Sequence, residues 1–171
     1  MKKTYFILFL LALLSSCGSS RKAAKSSQRK AETISKTQIK TPLSKTAESI
    51  IAYAQQFKGT RYKYGGTTKK GMDCSGLIYT TFGEHGIAMP RTTKELSTKG
   101  DWVDIKQIHK GDLVFFATKK NSRKINHVGI VTDIKGNEIS FIHSSSSRGV
   151  MISKLSERYW YFAYVQARRY L

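Results

Sequence analysis

Two rhythms of hydrophobic residues divide the chain. Between Lys45 and Gly59, the apolar positions Ala47, Ile50, Ile51, Ala54 and Phe57 recur at helical spacing, and Gly59 ends the run. A turn-rich stretch, RYKYGGTTKKGMD, leads to a second helix expected from about Cys74 to His85. Leu77, Ile78 and Phe82 form its inner face, with Gly86 placed as its C-cap. Beyond Arg91 the rhythm becomes that of strands: DLVFFAT, HVGIVTD, EISFIHS and YWYFAYVQARRY. Helices first and antiparallel strands afterwards predict one α+β domain over residues 45–171, large enough to bury a core.

The residues before Lys45 belong to neither rhythm. Lys2 and Lys3 precede an unbroken apolar run, Tyr5 to Leu14, and then Ser15, Ser16 and Cys17. A basic start, a short apolar core and small residues describe a secretory signal segment over 1–17. The run is shorter than the ~20 apolar residues that span a bilayer. Leu14-Ser15-Ser16-Cys17 resembles the bacterial lipobox, in which the cysteine is acylated and becomes the new N-terminus. A membrane anchor at Cys17 is therefore expected. Gly18 and Ser19 supply no acidic retention signal, which points to the periplasmic face of the outer membrane. Residues 18–44 are rich in Ser, Thr, Lys and Gln and read as a flexible basic tether.

Charge changes the picture of partners. The formal +19 divides into +2 on the signal segment, about +6 on the tether and +11 on the rest. Such a balance raises nucleic acid as a partner. Export argues against it and favours anionic wall polymers and lipid headgroups. A monomer is expected, and no cofactor or metal.

If Cys17 carries lipid, Cys74 is the one cysteine left, so it has no internal disulfide partner. It follows a glycine-rich loop and opens an apolar helix, where free N–H groups and the helix dipole favour a thiolate. Asp73 is a good N-cap but a poor neighbour for that thiolate, so a cationic partner is needed. A buried, inert cysteine is the plainer reading, and its place at the start of a helix makes that the weaker one.

Four histidines are available. His127 opens the strand HVGIV and His143 closes SFIHS, with a turn at Lys135-Gly136-Asn137. A three-residue loop pairs Ile134 with Glu138 and sets His127 opposite Ser145. His143 then becomes its diagonal neighbour on the same face. A one-residue change of register would separate the two rings. His85, at a helix C-terminus, reads as structural, and His109 as exposed.

Taken in order, GTRYKYGGTTKKGMDCSGL, MPRTT, GDLVFF, INHVGIV and FIHSSSSRGV resemble the blocks of NlpC/P60 cysteine peptidases, from about Ile50 onward. Within that family the pattern is nearest to small lipoprotein murein DD-endopeptidases. The resemblance implies a papain-like α+β fold, helices packed on an antiparallel sheet, with a Cys-His-His triad. Cys74 would be the nucleophile, His127 the general base ion-paired with it, and His143 the orienting group. Tyr62 would join the Cys74 backbone N–H in stabilising an oxyanion. Asp73 and Ser75 would contact the free amine and peptide of the substrate. The implied substrate is a peptidoglycan peptide, cut at a cross-link or at a γ-D-glutamyl–diamino acid bond. The alternative is a catalytically inert peptidoglycan-binding lipoprotein.

Overall fold

The structure is a computed structural model that describes residues 42–171. The expected signal segment, Cys17 and residues 18–41 of the expected tether lie outside the described residues. The first helix, α1 (Pro42–Gln55), begins inside the stretch read as tether. Proline suits that first helical position, because its missing N–H would have had no partner there. Ile50, Ile51 and Ala54 are buried with Phe57, as the spacing predicts.

A two-stranded ribbon, β1 (Thr67–Thr68) and β2 (Gly71–Met72), leads to α2 (Cys74–Gly83) and the single turn α3 (Thr93–Leu96). There follow β3 (Asp101–Val103), a 3-10 turn at Ile105–Gln107, β4 (Leu113–Phe116), β5 (His127–Lys135), β6 (Glu138–Ser145) and β7 (Gly149–Lys154). Helix α4 (Arg158–Ala163) and β8 (Tyr164–Arg169) complete the chain. Six strands form one antiparallel sheet in the order β3-β8-β4-β5-β6-β7.

Both faces of the sheet are covered. Leu113, Phe115, Val128, Ile130 and Ile142 pack with α1 and α2, while Val114, Phe116, Val131 and Phe141 pack with Trp160 and Ala163 of α4. This explains why LVFF is apolar at every position instead of alternating. Arg169 and buried Asp112 tie β8 to the start of β4, with Nε donating to Oδ1 at 2.8 Å and Nη2 to Oδ2 at 2.7 Å.

Two expectations need correction. The segment YWYFAYVQARRY is not one strand, because Arg158–Ala163 is helical and only Tyr164–Arg169 joins the sheet. Trp160 and Ala163 are buried while Tyr161 and Phe162 are exposed, so an aromatic run that reads as strand turns one helical face inward. The β5–β6 turn is also shorter than expected. Lys135 pairs with Glu138, leaving Gly136 and Asn137 as the loop, with Gly136 at φ +59°. Taken alone, this one-residue shift would move His143 to the other face. An extra residue at Thr132 reverses it: Asp133 pairs with Ser140, but Val131 pairs with Phe141 and Ile130 with Ile142.

Candidate active site

Helix α2 begins at Cys74 because Asp73 caps it, its Oδ1 accepting from the Gly76 N–H at 2.6 Å. A Cβ on Gly76 would sit 2.0 Å from the Gly66 carbonyl oxygen, so only glycine lets the helix start press onto the preceding loop. Gly65 also donates to Asp73, at 2.7 Å to Oδ2. Arg91 grips the same carboxylate with both nitrogens, Nη1 to Oδ1 and Nη2 to Oδ2, each at 3.0 Å. The Nη1 group also donates to the Ser75 hydroxyl at 2.9 Å. Burial alone would raise the Asp73 carboxyl, but Arg91 and the Gly76 and Gly65 N–H groups outweigh it and hold it low. The charge beside Cys74 is thus met by Arg91.

Cys74 is 7% exposed, its sulfur 3.5 Å from the Thr93 hydroxyl. Burial pushes its thiol up, partly opposed by Thr93 and by the N–H groups of Val128 and Ser75. The two histidines meet: His127 Nε2 lies 3.0 Å from His143 Nδ1, and His143 Nε2 lies 3.2 Å from the Ser153 hydroxyl. Gly129, two residues beyond His127 in β5, makes room for His143, since a Cβ there would fall 2.6 Å from the Phe141 ring and 3.3 Å from His143 Cβ. Trp160 locks the pair from the side, stacked on His127 at 5.4 Å between centroids and edge-on to His143 at 4.7 Å.

Tyr62, Cys74 and Asn126 line two adjoining cavities, of about 410 and 380 Å³. The larger adds His127, the Ser145–Ser147 turn, Arg148 and Trp160; the smaller adds Asp73, Ser75, Arg91 and Thr93. Cys74 therefore lies in the middle of a cleft. Of the expected catalytic and substrate-binding residues, Tyr62, Asp73, Cys74, Ser75 and His127 line this cleft, and buried His143 stands behind His127. His85 and His109 do not line it: His85 Nδ1 lies 2.9 Å from the Thr81 carbonyl, and His109 is exposed. Arg91, Thr93, Ser153 and Trp160 escaped the sequence reading. Arg91 and Thr93 left a signal in the block MPRTT, and Trp160 in the terminal YW. Among the described residues, no three His, Cys, Asp or Glu side chains are grouped to hold a metal.

The family model that matches residues 59–169 is described as the NlpC/P60 family. The chain belongs to the NlpC/P60 family. Over 123 residues it is 44% identical to a probable endopeptidase NlpC homolog of Haemophilus influenzae and 43% identical to the murein DD-endopeptidase MepS/murein LD-carboxypeptidase of Escherichia coli. Each match covers 71% of this chain and 62% of the relative, so the chain spans less than two thirds of their length. Among solved structures, an NlpC/P60 family protein from Bacillus cereus superposes with a TM-score of 0.67 at 35% identity. That match covers 73% of this chain and 40% of the other. The NlpC/P60 fold accounts for the mixed helices and antiparallel sheet.

Burial lowers His127 to about 4. Burial first, then the charges of His127 and Arg148, lowers His143 to about 3. An unfolded histidine binds its proton near 6.5. Below that pH the unfolded chain takes up protons the folded chain refuses, so this stability is complete above about 6.5 and fades toward about 3. The melting temperature is expected to drop as pH falls from about 7 to about 4. His143→Asn, which does not titrate, should flatten that decline. A wild-type melting temperature indifferent to pH over this range would refute it.

Proposed function

We propose that the chain is a cysteine peptidase of the bacterial cell envelope that hydrolyses amide bonds in peptidoglycan stem peptides or their cross-links. The observation that carries this reading is the hydrogen-bonded file His127, His143 and Ser153, whose first ring lines the same cavity as Cys74 and Tyr62. With Nε2 of His127 engaged by His143, Nδ1 is the nitrogen left for the thiol. For Nδ1 to accept a proton, Nε2 must hold one and donate it to His143 Nδ1. His143 Nε2–H then donates to Ser153 Oγ, which fixes both tautomers.

Burial of thiol and imidazole favours the uncharged pair, whereas the resemblance implies an ion pair. Proton transfer therefore accompanies attack. The Cys74 sulfur bonds to the amide carbon as its proton passes to His127 Nδ1. The oxyanion is met by the Cys74 backbone N–H, which has no partner within its helix, and by the Tyr62 hydroxyl. His127 returns the proton to the leaving amine, and water then hydrolyses the thioester. Asp73, its carboxylate already held by Arg91, and Ser75 present a polar wall to the acyl side of the substrate.

The inert wall-binding alternative would lack Cys74 or His127, and both are present. Incubating the full chain with purified peptidoglycan should release stem-peptide fragments whose masses name the bond cut. Undigested wall that retains the protein would favour the binder instead. The anchor at Cys17, the basic tether and an outer-membrane location belong to the same proposal. They predict that Cys17→Ala shifts the protein from the membrane to the soluble fraction.

A further inference from the structure

We infer that the histidine-side cavity is the leaving-group subsite, and that Arg148 there selects a diamino acid bearing a free carboxylate beside its side-chain amine over lysine. The inference rests on the peptidase reading above. A leaving amine must receive its proton from His127, so the half of the cleft that contains His127 receives the leaving residue. That half is the cavity of about 410 Å³, and Arg148 stands on its wall.

Arg148 sits on the turn joining β6 to β7. The turn is fixed to the loop before Tyr62: Val150 N–H donates to the Thr60 carbonyl at 2.8 Å, and Gly59 N–H to the Val150 carbonyl at 2.9 Å. Exposed Arg148 thus stands two residues before a backbone held at Val150. Among the described residues it makes no hydrogen bond or ion pair, while its charge reaches into the site and lowers His143. The guanidinium in the other half of the cleft, Arg91, is committed to Asp73. Among the described residues the cleft thus offers one uncommitted cation, on the leaving side, beside the serines at 145, 146 and 147 and Asn126 as further hydrogen-bond partners.

A planar guanidinium matches a carboxylate with two parallel hydrogen bonds. Glu157 lines the same cavity and disfavours a second anionic group, so the subsite fits a single carboxylate and not a polyanion. Diamino acids of bacterial walls differ at this point: lysine carries hydrogen where a diaminodicarboxylate carries the carboxylate. The difference lies on the leaving side of a cross-link, next to the amine that is released.

The test uses two synthetic cross-linked peptides that differ only in that carboxylate, present or replaced by hydrogen. The full chain should cleave the carboxylate peptide with a kcat/KM about tenfold higher. Arg148→Gln should bring the ratio close to one, and Arg148→Lys should restore part of it. If Arg148 acted only through the charge it projects onto His143, Arg148→Gln would slow both peptides equally and preserve the ratio, which overturns the inference. Equal cleavage by wild type also overturns it while leaving the peptidase reading intact. If neither peptide is cut, the peptidase reading fails, and calorimetric binding to the Cys74→Ala chain decides. Tighter binding of the carboxylate peptide supports the subsite; equal binding removes it.

Discussion

Cys74→Ala is expected to abolish amide hydrolysis, with a loss in kcat of at least about 10⁴-fold, while the protein stays folded. The substitution removes one sulfur from a helix start whose capping and ion pairing run through Asp73 and Arg91, so melting should shift little. Cys74→Ser should be similarly inactive, because a hydroxyl is a smaller and intrinsically weaker nucleophile than sulfur at the same position. If Cys17 is acylated, Cys74 is the one remaining thiol, and one equivalent of iodoacetamide should label it and end activity. Burial holds the thiol above its ordinary range, so labelling should quicken as pH rises. Hydrolysis surviving in the alanine variant would remove the nucleophile from the mechanism.

His127→Ala is expected to cost about as much, because thiol and leaving amine then both lose their proton partner. His143 acts one step back. His143→Ala should reduce kcat by about 10²-fold or more, leaving His127 free to rotate and to take the wrong tautomer. His143→Asn should recover part of that loss, since a carboxamide oxygen can accept from His127 Nε2–H. An alanine variant at 143 that matched wild type would show that the 3.0 Å contact between the rings orients nothing.

Much of this site could be read along the chain, because local signals coincide there. Asp73 before an apolar helix, glycines on both sides, and histidines at the start of one strand and near the end of the next are short-range patterns. They set His127 and His143 on one sheet face and Cys74 at a helix start, and the family resemblance joined the three. What stayed hidden depends on distant pairings. Ser153 meets His143 only because β7 pairs with β6 in a register that sets Phe141 against Ser153. Trp160 lies in a run whose aromatic content reads as strand, and only the packing of Trp160 and Ala163 against the sheet makes it helical. Arg91 is separated from Asp73 by all of α2, and no local pattern announces a bidentate pair across that span.

The same register argument shows what the bulge at Thr132 contributes. The hairpin was read with the wrong loop length, yet the histidines still met, since the unpaired residue in β5 takes up the mismatch before it reaches Ile130. Above Thr132 the strands answer to the turn at Gly136 and Asn137; below it they answer to the rings at 127 and 143. A tip rebuilt by one residue, with Thr132 drawn into the ladder, would leave the lower half in place. Tolerance at one end and constancy at the other thus become separable traits of a single hairpin, and sequence drift at the tip is insulated from the chemistry at its base.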